Sequence, residues 1–233
     1  NPQSVNPDSG IVFNANNQPG DMGTGLEPGY YAPETRARRL SQLLKQEKYD
    51  WTTSEMRQIQ LDEYDAHAAS MVPQLLEGID PSYNSCSEIL LNWDHVSSMD
   101  RAGPAVWAVF QGELLRGALK DELGEHAFGL YEAAAIAGRS ALEGDWQRFV
   151  EDPVEAVQSA LDRSCDSLED QLGSDPNLWT WGPLHPLRIR HPFSDQSRFL
   201  EDWSLPTVPY GGSHQTVNQS GYSWHEPLLE ATW

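Results

Sequence analysis

Asn6-Pro7-Asp8-Ser9-Gly10, Ile11-Val12-Phe13 and Asn14-Ala15-Asn16-Asn17-Gln18-Pro19 run consecutively, so two turn signals enclose a short apolar run. Pro fixes φ, Asp and Ser bond their own backbone, and Gly accepts positive φ, so the first five residues favour a turn. Ile, Val and Phe are β-branched or aromatic, which predicts a strand over about 10–15. On residue type the Asn cluster that follows is a turn former, since Asn tolerates the left-handed region and bonds to nearby backbone.

Downstream the period becomes helical. Arg36, Leu40, Leu43 and Leu44 recur at i, i+4, i+7 and i+8, predicting an amphipathic helix from about residue 34. Thr52-Thr53-Ser54-Glu55 reads as a capping box opening one helix past Ile59, Ala66, Ala69 and Met71, bending at Pro73 and reaching Leu75-Leu76 and Gly78. A third element covers Ser87 to Trp93. Two more helices are expected over 104–123 and 126–141, the first with Pro104 in its opening turn. Asp152-Pro153-Val154-Glu155 supplies an N-cap, a Pro at N1 and an acid in the first turn for a helix to Leu172, stopped by Gly173. Beyond Asp175-Pro176, short strand-like pieces such as Leu187-Arg188-Ile189 sit among Pro, Gly, His and Trp. The expected layout is a strand and loop over 1–33, a helical block over 34–178 and a strand-rich tail over 179–233, all within one larger domain.

Composition narrows the partners. Against 15 Lys+Arg stand 35 Asp+Glu, a net charge of −20 with a pI near 4.5. Such a surface repels phosphate backbones and anionic headgroups, so no nucleic acid and no membrane insertion are expected. No apolar run approaches the ~18–20 residues that span a bilayer. Nine Trp, eight Tyr and six Phe supply a core, against wholesale disorder. Cys86 and Cys165 stand far apart without zinc spacing, and read first as two buried free thiols or else as one long-range disulfide of an exported protein.

The longer pattern is more specific than any short motif. The opening stretch resembles the "NPxSGxxxNxNNxP" segment of the penicillin acylase family, which are N-terminal-nucleophile amidohydrolases. Four further stretches agree in order: Thr35-Arg36-Ala37-Arg38-Arg39-Leu40 with a helix start; Gln60-Leu61-Asp62 through Ala66 and Ala69 to Pro73-Gln74-Leu75-Leu76; Leu91-Asn92-Trp93-Asp94; and Trp181-Gly182-Pro183-Leu184-His185, His191-Pro192 and Gly211-Gly212 with Thr216-Val217-Asn218.

The resemblance implies an α+β chain, the mostly helical C-terminal part of an αββα N-terminal-nucleophile hydrolase with short strands at both ends. It implies a fragment of the β-subunit, because the N-terminal Ser exposed by precursor cleavage lies roughly two hundred residues before this motif in the family. Expected partners are a small acyl-amide substrate, the α-subunit and the first part of the β-subunit. The location implied is periplasmic or extracellular. Asn16 takes the place of the family's oxyanion-hole Asn. Arg36 takes that of an Arg near the active centre, although it could equally be a solvated Arg beside Arg38 and Arg39. No cofactor is implied for catalysis, and a structural calcium ligated by Asp21 or Glu27 is an added expectation. His185, His191, His214 and His225 read as rim and sheet-edge residues rather than a metal site. The acids Glu143, Asp145, Glu151, Asp152 and Glu155 read as a solvated face, and Asn218-Gln219-Ser220 as a sequon without consequence. The competing reading is a non-catalytic helical interaction domain whose Asn-rich loop is only a turn.

Overall fold

The computed structural model describes residues 5–18, 31, 33–44, 50–133, 146–189, 206–220 and 229–230. Its helices are α1 (Thr35–Leu44), α2 (Thr53–Gln60), α3 (Ala66–Leu75), α4 (Ser85–Asn92), α5 (Gly103–Ala133), α6 (Pro153–Leu172) and the single turn α7 (Trp181–Leu184). Three short strands follow: β1 (Pro186–Arg188), β2 (Val208–Pro209) and β3 (Leu229–Glu230). The sheet order is β2-β1-β3, with β1 antiparallel to β2 and parallel to β3. The described chain is therefore α+β and mostly helical.

α6 shows how local chemistry sets an element. Asp152 accepts from the backbone N–H of Val154 and Glu155 at 2.8 and 3.1 Å, Pro153 gives up an N–H that no helix bond needs, and Gly173 leaves the helix at φ 93°. Its Val157, Ala160, Leu161 and Leu168 fall on one face and are buried against α5, whose Val106, Phe110 and Leu114 are buried in turn. Each of the Val, Leu and Phe side chains among them contributes about 1.5–3 kcal/mol by leaving water. α4 packs on both helices through Cys86 and Leu90. Gly103 lets α5 begin hard against α4, since a β-carbon there would overlap the Trp93 ring.

Several expectations change. Ile11-Val12-Phe13 forms no regular strand with any of the described residues: Val12 and Phe13 are exposed, and β propensity alone does not supply pairing. The capping box at Thr52 and Glu55 forms as expected, but the helix behind it stops at Gln60. A second helix starts at Ala66 with Asp65 as its N-cap, and Pro73 lies inside it. The interruption is tertiary, because residues 63–65 hydrogen-bond across to 95–97. By contrast, the break expected between helices over 104–123 and 126–141 is found inside α5 at Gly124, whose φ of 74° is not helical, and 134–141 lie outside the described residues. Among its described residues the tail holds less strand than expected, giving 181–184 to a helical turn and 210–220 to a hydrogen-bonded loop.

Cys86 and Cys165 are joined as a disulfide that ties α4 to α6 across 79 residues of sequence, which corrects the free-thiol reading. Closing so long a loop removes freedom from the unfolded chain. Replacing both cysteines with Ala is expected to cost up to about 4 kcal/mol. Urea melts of the variant and the oxidised protein check this, and superimposable melts would show that the bridge contributes nothing.

Candidate active site

Asn16 and Arg36, twenty residues apart in sequence, meet in space. Arg36 occupies the first turn of α1 and is 8 % exposed. Its Nη2 donates to Asn16 Oδ1 at 3.1 Å. A guanidinium has no acceptor, so it settles the direction of the carboxamide: Oδ1 faces Arg36 and Nδ2 keeps its two N–H groups for another partner. Burial pulls the Arg36 pKa below the ordinary guanidinium value. The group nevertheless stays charged near neutrality, because an arginine starts so far above it.

The backbone at Asn16 is as specific as the side chain. Its φ is 61°, a left-handed conformation that Asn accepts more readily than other side chains. The Asn16 N–H donates to Asn14 Oδ1 at 2.6 Å, closing an Asx turn, and Ala15 between them is buried. Asn17 spends its amide on the Gln18 carbonyl at 3.1 Å. Within this cluster, then, Asn14 and Asn17 shape the backbone, while Asn16 is held by its oxygen and presents its nitrogen.

The other arginines of α1 behave differently. Arg38 pairs with Glu34 at 3.0 Å on the surface. Arg39 makes a two-pronged bond to Asp62 at 2.8 and 2.6 Å and lies over the Tyr64 ring, 4.7 Å from its centre. That clamp fixes α1 to the segment between α2 and α3. A second tie runs from Thr35 Oγ1 to Gln215 Oε1 at 2.7 Å.

The tail loop is locked to the same segment. Asn218 N donates to the Asp62 carbonyl, Gly212 N to the Ser97 carbonyl, and Ser213 Oγ to Asp65 Oδ2, at 2.9, 2.7 and 3.0 Å. The Gly pair is required by this closeness. A β-carbon on Gly211 would run into the Glu63 carboxylate, and one on Gly212, at φ 80°, into the Asn218 carbonyl. Asn218 itself is buried, accepting from Tyr210 Oη at 2.9 Å and donating to Glu63 Oε1 at 3.3 Å. His185 stacks on Trp181 with ring centres 4.4 Å apart, and its Nδ1 is bonded to the Tyr210 carbonyl at 2.9 Å, so its proton sits there. A cleft of about 770 Å³ between α1, α3 and the start of α6 is lined by Arg38, Gln42, Ser70, Gln74 and Trp146 but by neither Asn16 nor Arg36.

The family model for penicillin amidase matches residues 1–233. The chain belongs to the penicillin amidase family. Similar curated proteins are acyl-homoserine lactone acylases QuiP from Pseudomonas species. The P. fluorescens Pf-5 protein is 23% identical, with 96% of this chain and 30% of the relative aligned. For the P. aeruginosa PAO1 protein the figures are 23%, 96% and 32%, and for the P. syringae pv. syringae B728a protein 24%, 96% and 31%. The chain thus spans about 30% of the length of the curated relatives it matches.

Of the site residues expected from sequence, Asn16 and Arg36 come together. Asp21, Glu27, Glu143, Asp145, His191 and His225 lie outside the described residues. Asp152 and Glu155 prove to be cap and first-turn residues of α6. Among the described residues no group of three or more His, Cys, Asp or Glu could hold a metal ion, and no helix is long and apolar enough to cross a membrane. Sequence reasoning missed Thr35–Gln215, Arg39–Asp62 and Glu63–Gly211. The adjacent glycines were the only visible signal, since two in succession mark a close backbone approach.

Glu63 gives a pH test of this packing. Desolvation pushes its carboxyl above the ordinary value, outweighing the hydrogen bonds from Asn218 and Ser98 that favour ionisation. A raised folded-state pKa means stability is fully present below the unfolded value near 4.5 and is lost as pH rises through the folded one. Glu63→Gln keeps the acceptor for Asn218 without the charge. It is expected to raise the melting temperature at pH 7, with the gain vanishing toward pH 4. Thermal melts across that range check it, and a pH-independent difference would show that ionisation of Glu63 is not what opposes folding.

Proposed function

We propose that this chain is part of an amidohydrolase of the αββα N-terminal-nucleophile fold that transfers an acyl group from an amine to water. The observation that carries this reading is the Arg36–Asn16 bond, which leaves the Asn16 Nδ2 free to donate. In the proposed reaction the hydroxyl of an N-terminal Ser, on a part of the protein outside this chain, attacks the amide carbonyl. Its own α-amino group takes the proton, a task suited by an unperturbed pKa of about 7.7–8.0. Negative charge gathers on the carbonyl oxygen, and Asn16 Nδ2 hydrogen-bonds it. Collapse expels the amine, which leaves with a proton, and water then releases the acid from the acyl-enzyme with the same donor in place.

Arg36 contributes in two ways. It prevents the Asn16 carboxamide from rotating its oxygen toward the oxyanion, where two acceptors would repel. Its charge, unpaired with any carboxylate in the bonds it makes, also favours negative charge nearby. Among substrate classes, a β-lactam side chain, an acyl-homoserine lactone and an acyl-peptide all present the required amide. The names of the similar curated proteins favour the acyl-homoserine lactone. The disulfide supports a periplasmic or extracellular location, where such bonds persist. A structural calcium held in part by Asp21 or Glu27 belongs to the same proposal through carboxylate chemistry alone, and no catalytic step passes through it.

In the full-length protein, Asn16→Ala is expected to depress kcat on the order of 10²–10³-fold while changing KM little. Asn16→Asp should be no better, since it replaces the donor by an acceptor. Asn14→Ala should give a smaller loss by loosening the Asx turn, and Asn17→Ala the smallest. Precursor cleavage is followed on a gel before kinetics are compared. Processed Asn16→Ala enzyme with near wild-type kcat would remove the residue from the mechanism.

A further inference from the structure

Gln215 is 5 % exposed, and its carboxamide faces the first turn of α1 from the tail loop, about two hundred residues from Asn16 in sequence. Its Oε1 accepts from Thr35 Oγ1 at 2.7 Å, one residue before Arg36. Its own backbone N–H donates to Ser213 Oγ at 3.0 Å, and that hydroxyl donates to Asp65 Oδ2 at 3.0 Å. Asp65, 1 % exposed, spends its other oxygen on the Ala68 N–H at the start of α3. An unbroken polar chain therefore runs Ala68–Asp65–Ser213–Gln215–Thr35, and the next residue bonds Asn16. Gln215 Nε2, by contrast, is buried without a hydrogen-bond partner.

The last fact separates this residue from an ordinary packing element. A buried donor left unsatisfied costs stability, so an apolar residue of the same volume would serve packing alone better. We infer that Gln215 is a positioning residue for the Asn16–Arg36 pair, acting through Thr35 to fix the α1 first turn from which Arg36 reaches Asn16. This rests on Asn16 being the oxyanion donor. Gln215 touches no reacting atom in this scheme. A guanidinium displaced by a fraction of an ångström would let the Asn16 amide swing, and oxyanion stabilisation depends on its aim.

The test uses the full-length protein and hydrolysis of a long-chain acyl anilide. Gln215→Met keeps volume and loses the acceptor, whereas Thr35→Val loses the donor from the other side. Each is expected to lower kcat about 5–20-fold with KM within about twofold, and the double variant to lose no more than either alone. The discriminating step repeats Gln215→Met in an Asn16→Ala background, where a residue that acts through Asn16 has nothing left to act on and kcat should change less than about twofold. An equal loss in both backgrounds, or none in either, overturns the positioning role while leaving Asn16 intact as donor. If Gln215→Met does not fold, Thr35→Val in the same two backgrounds decides. If Asn16→Ala itself leaves kcat near the wild-type value, the proposed reaction is refuted instead, and the positioning role falls with it.

Discussion

The carboxylate of Asp65 is the constraint on which this structure turns. It is buried, and a buried carboxylate persists only when its lone pairs are filled. One oxygen caps α3 through Ala68 and the other takes the Ser213 hydroxyl, while the Asp65 N–H reaches the His95 carbonyl at 2.8 Å. A helix start, a turn from a distant part of the helical block and the tail loop are thereby fixed to one residue. The consequence reaches His95, which is held at φ 60° and whose ring burial depresses its pKa despite nearby Asp65 and Asp94.

The candidate site hangs from that junction rather than from its own neighbours. Asn16 sits in an exposed turn, so much of its rigidity has to come from elsewhere. It comes from Arg36, which α1 carries, and α1 is held at Arg39 by Asp62 and at Thr35 by Gln215. Both anchors belong to the region that Asp65 organises. Removing a contact two steps away can therefore alter the aim of the Asn16 amide without touching the core between α5 and α6.

What could be read from sequence divides along the same line. The α6 helix was legible because all its determinants lie within its own residues: Asp152, Pro153, the Val157–Leu168 face and Gly173. The Thr52–Glu55 box was legible for that reason too. The stop after Gln60 was not, since it depends on pairing between residues 63–65 and 95–97, which no local propensity encodes. The Ile11–Phe13 run failed in the opposite sense, with strong propensity but no pairing strand among the described residues. Asn16 and Arg36 could be picked out by family resemblance alone. Residue type left each with an ordinary alternative, and only the contact between them separates Asn16 from Asn14 and Asn17, or Arg36 from Arg38 and Arg39.

Arg36 and Arg39 show why the partner matters more than the residue. Arg39 meets a carboxylate in bidentate geometry, and the Asp62 hydrogen bond raises its pKa. The pair is nearly neutral when seen from a distance, and its service is mechanical. Arg36 is more deeply buried, yet it is given a neutral amide oxygen, so nothing cancels its charge in that contact. Burying a cation this way costs folding free energy that a carboxylate would have offset. In return the surroundings keep a fixed positive potential beside a carboxamide whose donor side is free. That combination is of little use for packing, and it is what the oxyanion role proposed for Asn16 asks for.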